Sequence, residues 1–216
     1  MLFRFDGTQV AFAWGGEKGG TTDIYLQLVG SPDVRRLTAD DLYDWTPKWS
    51  PDGRQIAFVH CPAEFCVLHT VSPLGGSDRK LSDYRASPRQ ISWSPDGRYI
   101  AAASFNPRSE PAGVTGIRLI PAEGGSPRVL TPGKAPSFDD APAFSFAGRH
   151  LAFFTCGSTL PLTCHLSVLD LDDAYAPSGP PRRLTSRPIL EPGTIAWTRD
   201  GHFVIYDAKE IGRAHV

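Results

Sequence analysis

The chain has 216 residues, 41% of them hydrophobic, and carries a formal net charge of -1 with a sequence pI near 6.6. This length is sufficient for a sizeable hydrophobic core, and the lack of excess Lys and Arg argues against nucleic acid as a partner. The longest nearly apolar stretch, Tyr99 to Phe105, is far shorter than the roughly 20 residues that a transmembrane helix needs. No membrane insertion of this segment is therefore expected.

One glycine-centred pattern occurs five times along the chain. The copies read FRFDGTQVAF (3–12), WSPDGRQIAF (49–58), WSPDGRYIAA (93–102), FSFAGRHLAF (144–153) and WTRDGHFVIY (197–206). Their glycines lie 46, 44, 51 and 53 residues apart. A period of this length is typical of proteins built from repeated supersecondary units.

Two further segments accompany each copy and complete the repeat. The motif R-x-L-[T/S] precedes the second to fifth glycines, at 35–38, 79–82, 128–131 and 182–185. Apolar stretches with strand-like alternation lie between each glycine and the next such motif, at 23–30, 67–76, 116–125 and 165–173. Each period therefore contains about four predicted strands.

The six-letter block WSPDGR predicts a tight hairpin turn between two of these strands. Proline presets the dihedral of the second turn position, aspartate bonds to a nearby amide, and Gly53 or Gly97 takes the position where φ turns positive. The fourth and fifth copies have Phe146-Ala147 and Thr198-Arg199 at these positions. Looser turns are expected there.

Short antiparallel strands in units of four predict an all-β fold, a β-propeller of four-stranded blades. The predicted blades span about 2–40, 45–84, 89–134 and 141–186, with an incomplete fifth at 194–207. About four and a half blades would leave two open sheet edges, so the chain is expected to be part of a longer protein. Residues 211–216 have no place in the repeat and are interpreted as a non-native or unstructured tail.

The repeat W-S-P-D-G-[R/K]-x-I-A-F with its preceding R-x-L-T resembles the WD40-like PD40 repeat of TolB-type propellers over almost the whole chain. The segment VAFAWGGEKGGTTDIYLQLVG (10–30) is similar to the C-terminal propellers of bacterial serine/threonine kinases and winged-helix regulators. The resemblance implies a module for protein interaction or ligand sensing outside the cytoplasm, in a larger envelope or signalling protein. It implies as an alternative the propeller of a prolyl-oligopeptidase-like serine peptidase, whose hydrolase domain would lie outside this chain.

Four cysteines form two pairs at equivalent places in the second and fourth blades, Cys61 with Cys66 and Cys156 with Cys164. Each pair flanks a loop between antiparallel strands, where a disulfide is geometrically feasible in an oxidising compartment. Four free, half-buried thiols are the alternative. The spacings C-x4-C and C-x7-C are not those of a zinc knuckle, which argues against a metal site.

The loops between blades open on the same face as the loops between second and third strands, and this face is called the loop face. It carries aromatic residues beside charged ones, a composition typical of binding patches, although solvated loops are commonly polar as well. The predicted contacts for a protein or peptide partner are Asp44, Trp45, Arg85, Asp139 and Asp140.

The sequence contains no G-x-S-x-G, G-x-x-x-x-G-K-[ST] or H-E-x-x-H motif. Its histidines are scattered through separate predicted strands, without metal-ligand spacing. No catalytic residue, cofactor or metal site is therefore predicted, and the oligomeric state is left open.

Overall fold

The computed structural model describes residues 2–3, 6–17, 19–62, 65–104, 116–134, 136–157 and 163–208. The regular secondary structure in these ranges consists of β-strands. The described residues contain no helix of the length and apolarity required to cross a bilayer. Segment 211–216, interpreted above as a tail, lies outside the described residues.

Four antiparallel sheets and a final hairpin follow one another along the chain, and each is called a blade. Blade 1 contains β1 (Leu2–Phe3), β2 (Gln9–Trp14), β3 (Asp23–Leu28) and β4 (Val34–Arg36). Blade 2 contains β5 (Tyr43–Trp49), β6 (Ile56–Cys61), β7 (Val67–Val71) and β8 (Arg79–Lys80). Blade 3 contains β9 (Ala86–Trp93), β10 (Tyr99–Ser104), β11 (Ile117–Pro121) and β12 (Arg128–Val129).

Blade 4 contains one additional strand, and blade 5 has two strands. Blade 4 consists of β13 (Phe138–Phe144), β14 (His150–Cys156), β15 (Thr163–Asp170), β16 (Arg182–Arg183) and β17 (Ile189–Leu190). Both β16 and β17 pair with β15, so together they form an interrupted outer strand that the sequence did not predict. Blade 5 consists of β18 (Ile195–Trp197) and β19 (Val204–Tyr206).

The first strands of successive blades lie side by side. Strand β1 contacts β5, β5 contacts β9, β9 contacts β13, and β13 contacts β18. The outer strands β4, β8, β12 and β16 are exposed along their whole length. Four-stranded sheets arranged with their first strands inward are the architecture of a β-propeller, so the predicted fold class is confirmed.

The hydrophobic core is divided into four clusters, one between each pair of neighbouring blades. Along β6, Ile56 and Phe58 pack toward blade 1, whereas Ala57 and Val59 pack toward blade 3. Successive strand residues point to opposite faces, and neighbouring blades cover both faces of this sheet, so the β6 residues from Ile56 to Val59 are all apolar. Burial of a side chain such as Phe58 contributes about 1.5–3 kcal/mol.

The glycine-centred turns have the same backbone geometry in all four copies from the second onward. Gly53 N donates to Ser50 O at 2.9 Å, and the distance is also 2.9 Å in the turns that end at Gly97, Gly148 and Gly201. All four glycines have φ between 69° and 73°. The expectation of looser fourth and fifth turns is therefore wrong, because a glycine at positive φ and the backbone hydrogen bond suffice to close them.

The aromatic residue of the repeat forms hydrogen bonds between blades. Trp93 Nε1 donates to the Lys48 carbonyl at 3.0 Å, and Trp197 Nε1 donates to the Ala143 carbonyl at 2.9 Å. In both cases the carbonyl belongs to the residue directly before the aromatic residue of the neighbouring blade, Trp49 or Phe144. The indole therefore joins the first strands of neighbouring blades in addition to filling the core.

The first arginine of the first three R-x-L-[T/S] motifs also reaches the following blade. Arg79 donates to the Glu123 carbonyl at 2.9 Å and to the Ala122 carbonyl at 2.6 Å. Arg35 and Arg128 form equivalent bonds to Pro73 and Ala174. Each acceptor lies in or beside the turn after the third strand of the next blade, so the motif links the outer parts of adjacent sheets.

Candidate functional site on the loop face

Two exposed aromatic side chains stack at the start of β5 on the loop face. The ring centroids of Tyr43 and Trp45 are 5.9 Å apart, with an interplanar angle of 4°. Their exposed fractions are 45% and 38%. Since they alternate along one strand, both side chains lie on the same side of it. Large exposed aromatic side chains are enriched at protein interfaces.

The residue between them, Asp44, is fully buried and anchors this end of β5. Its Oδ1 lies 2.8 Å from His60 Nδ1. Its backbone N–H donates to the Thr22 carbonyl at 2.7 Å, and the Thr22 hydroxyl donates to the Asp44 carbonyl at 2.9 Å. These bonds fix β5 to blade 1 and to β6, and thereby hold the Tyr43–Trp45 stack in place.

Burial raises the pKa of Asp44 to about 6, because desolvation disfavours the carboxylate. Interactions with the Thr38 hydroxyl and with His60 favour the charged form and oppose this rise. The carboxyl group therefore titrates in the same pH range as an ordinary histidine.

Asp40 completes a cluster with Asp44 and His60, in which the potential ligand atoms all lie within 4.8 Å of one another. Asp40 Oδ2 is 3.7 Å from His60 Nδ1. Carboxylate and imidazole ligands suit a divalent transition metal, but a metal at His60 Nδ1 would displace the hydrogen bond to Asp44. The sequence pattern did not predict this cluster, because His60 is 16 residues from Asp44.

Blade 4 repeats the buried carboxylate without the histidine. Asp139 pairs across the sheet with Thr155, as Asp44 pairs with His60, and the Thr155 hydroxyl donates to Asp139 Oδ1 at 2.7 Å. Burial raises the pKa of Asp139, and interactions with the Thr131 and Thr155 hydroxyls oppose the rise. A buried, hydrogen-bonded Asp near the start of the first strand is therefore common to blades 2 and 4.

Asp140 is also buried, and its side chain is engaged internally. The Ala141 N–H donates to Asp140 Oδ1 at 2.8 Å, and Arg89 Nε lies 3.3 Å from Asp140 Oδ2. Burial raises the pKa of Asp140, whereas the Ala141 amide and the Arg89 charge lower it. This ion pair links blades 3 and 4.

The structure therefore divides the five predicted contact residues into two groups. Trp45 and Arg85 are exposed, and their binding role stays a prediction. The other three, Asp44, Asp139 and Asp140, were predicted on an exposed rim, but they are buried and form internal hydrogen bonds. Loop position alone did not indicate their burial.

Arg85 contacts an aromatic residue that the sequence analysis did not single out. Its guanidinium lies 4.8 Å from the ring centroid of Phe65, which is a cation–π geometry. Phe65 precedes Cys66, whose Sγ is bonded to Cys61. This disulfide closes the end of β6 against β7 beside the aromatic stack.

The second cysteine pair is bonded in the same way in blade 4. Cys156 and Cys164 lie directly opposite each other on β14 and β15, with Cα atoms 4.0 Å apart. Both disulfides lie at the loop-face end of their blades. Their oxidation in solution stays a prediction.

The chain is similar in sequence to a bacterial protein described as a peptidase. It is 31% identical over 184 residues to the Uncharacterized peptidase YuxL of Bacillus subtilis (strain 168), an alignment that covers 68% of this chain. The chain spans 28% of that relative's length. No protein-family model matches the chain.

Solved structures with the same fold include two TolB proteins. The putative TolB from Agrobacterium tumefaciens matches with a TM-score of 0.73 and 21% identity, over 96% of this chain and 73% of that one. TolB from Acinetobacter baumannii matches with a TM-score of 0.75 and 19% identity, over 95% of this chain and 47% of that one. A prolyl endopeptidase matches more distantly, with a TM-score of 0.53 and 13% identity, over 88% and 37% of the two chains. These likenesses show that the chain has the TolB-like β-propeller fold.

Proposed function

We propose that this chain is a non-catalytic β-propeller module that binds a protein or peptide partner through its loop face. The parent protein would be a bacterial envelope or signalling protein, such as a kinase or winged-helix regulator with a C-terminal propeller. The observation that carries the proposal is the exposed Tyr43–Trp45 stack, which is fixed over the buried Asp44–His60 pair.

A preorganised aromatic surface is suited to recognition because little side-chain entropy is lost when a partner binds. Exposed carboxylates lie in the loop that leads into the stack, at Asp40 and Asp41. Charge complementarity then favours a partner segment with an apolar or aromatic residue flanked by Lys or Arg. The cation–π pair of Arg85 and Phe65 would border the same contact area.

The two disulfides support an extracytoplasmic location for the module. Structural disulfides persist in oxidising compartments and are rare in the bacterial cytoplasm. Bonding between Cys61 and Cys66 and between Cys156 and Cys164 would stiffen the loop face in such a compartment.

The proposal is tested by selecting peptides from a random display library on the immobilised chain. Selected peptides are expected to contain an aromatic residue beside Lys or Arg, and Trp45→Ala is expected to weaken their binding about 30-fold, as for an aromatic hot spot. Leu74→Ala is the matched control, because Leu74 is 85% exposed in the β7–β8 turn at the opposite end of the blade. Peptides that bind Trp45→Ala and Tyr43→Ala as tightly as the wild type, or a library that yields no binder, would refute the proposal.

A second candidate function is favoured by the similarity to YuxL. In this alternative the chain is the substrate-gating propeller of a serine peptidase, and the catalytic residues lie in a separate hydrolase domain of the parent protein. The full reading frame distinguishes the two candidates. A G-x-S-x-G hydrolase domain after the propeller, with labelling of the full-length protein by a fluorophosphonate, would support the peptidase, whereas a kinase, winged-helix or TolB-type domain before it would support the binding module.

A further inference from the structure

The position just before the aromatic residue of the repeat carries a charged side chain in one blade. This position carries a small residue in three blades, Ser92, Ala143 and Ala196. Blade 1 has Leu2 there, and blade 2 has Lys48. The position faces the space between neighbouring blades, where Ala143 is buried and Ser92 is half-buried. A long cationic side chain at such a place needs a physical explanation.

Lys48 lines a cavity of about 470 Å³ between the first strands of blades 2, 3 and 4, at the end opposite the loop face. This volume lies in the usual range of small-ligand pockets, roughly 300–1,000 Å³. The walls consist mainly of aromatic and proline rings that recur at equivalent positions of the three blades: Trp49, Pro51, Trp93, Pro95, Phe144 and Phe146.

The Lys48 ammonium has no hydrogen-bond or ion-pair partner among the described residues, and only its backbone carbonyl is engaged, by Trp93. Burial lowers the pKa of Lys48, and no carboxylate of the described residues opposes this effect. A desolvated cation without a counter-charge destabilises the fold, so an anion in the cavity would offset that cost.

We propose that this cavity binds an apolar carboxylate, with the carboxylate on the Lys48 ammonium and the apolar body against Trp93 and Phe144. One cation in an apolar enclosure matches a monoanion, whereas a phosphate dianion would keep a second charge unpaired. Ser92 also lines the cavity, and its Oγ accepts the Phe144 N–H at 3.0 Å. The ligand is either a free apolar carboxylic acid or the C-terminal carboxylate of a peptide, which present the same chemistry. This site is separate from the loop face and does not depend on the function proposed above.

The test is a calorimetric titration of the chain with 3-phenylpropionate and with the tripeptide Ala-Leu-Phe. Each acid is compared with the neutral amide in which its carboxylate is replaced, 3-phenylpropionamide and the C-terminally amidated tripeptide. At least one acid is expected to bind saturably, and its amide about ten- to a hundred-fold more weakly, because the amide lacks the charge-assisted hydrogen bond. Lys48→Met is expected to lose a similar factor for the acid, whereas Lys134→Met, which removes an exposed lysine, is expected to bind normally. Which acid binds more tightly distinguishes the free acid from the peptide terminus.

A second readout follows from the burial of the ammonium. An anion beside Lys48 restores its pKa toward the ordinary value, so binding in buffers of different ionisation enthalpy is expected to show proton uptake that Lys48→Met abolishes. Lys48→Ala restores the small residue found in other blades and provides a second variant if Lys48→Met fails to fold. Equal binding of acid and amide, unchanged binding in both folded variants, or no saturable binding of either acid would overturn the proposal.

Discussion

Replacing Asp44 by Asn is expected to stabilise the protein at neutral pH and to leave its stability nearly unchanged at pH 4. The substitution keeps the shape of the side chain and a hydrogen-bonding group toward His60, but it removes a buried negative charge. The free energies of unfolding of the two proteins therefore differ through the charge of residue 44, and this charge depends on pH in the wild type.

The magnitude follows from the pKa of Asp44, which is raised from 3.8 to about 6. Between these values the native state binds more protons than the unfolded state, so the free energy of unfolding falls as the pH rises and stays reduced above pH 6. A difference of about two pH units corresponds to about 3 kcal/mol. The free energy of unfolding of Asp44→Asn does not fall in this way. The difference in free energy of unfolding between Asp44→Asn and the wild type should therefore grow by up to about 3 kcal/mol between pH 4 and pH 7.

The assay is urea unfolding of both proteins at pH values from 4 to 8, followed by tryptophan fluorescence. Asp41→Asn is the matched control, because it neutralises an exposed carboxylate in the same loop. His60 is the ionisable side chain in contact with Asp44, and it also faces Asp40 and the ring of His69. His60→Gln is therefore included, and it should retain most of the pH dependence if burial of Asp44 is the cause.

A carbon-13 titration of the Asp44 carboxyl group gives an independent measurement, with an expected midpoint near pH 6. If the stability difference between Asp44→Asn and the wild type stays constant within about 0.5 kcal/mol from pH 4 to 8, the burial argument is refuted.

Three further predictions concern the bonds within and between blades. Trp93→Phe keeps the aromatic packing but removes the indole hydrogen bond to blade 2, and it should lower the free energy of urea unfolding by about 1 kcal/mol; no change would show that the bond contributes nothing. Arg79→Met removes two hydrogen bonds to blade 3 and should lower the free energy of unfolding by about 2 kcal/mol. Arg182→Met, which removes an exposed contact within blade 4, should lower it by less than about 0.5 kcal/mol, and equal effects would contradict the inter-blade role of Arg79. The denatured chain should show no free thiols in the absence of reductant, and four free thiols would exclude both disulfides. Replacing both Cys156 and Cys164 by Ser should lower the free energy of unfolding by about 2.5 kcal/mol, as for a disulfide that closes a loop of 8 residues.

The repeat and its turns were predictable because their determinants lie close together in the chain. Glycine at positive φ and a backbone bond over four residues close the turn at Gly53 and also at Gly148, where aspartate is missing. Local rules of this kind act without knowledge of the rest of the fold. The unbroken apolar run of β6, from Ile56 to Val59, likewise reflects a sheet that is covered on both faces.

The candidate site was predictable only in part. Exposed aromatic residues such as Trp45 were found from loop position, but the burial of Asp44 and Asp139 was not, because a polar residue in a loop gives no signal of what covers it. The departure at Lys48 was visible in the aligned repeats, yet its meaning required the cavity around it.

The sequence by itself therefore determined the blade, its strands and the turn that joins the first two. Only the tertiary structure decided which groups meet between blades, such as Arg79 with the turn after β11, 43 and 44 residues later. The physical reason is that strand pairing within a blade is a local property of the chain, whereas contacts between blades depend on how separately formed sheets stack and which side chains that stacking excludes from water.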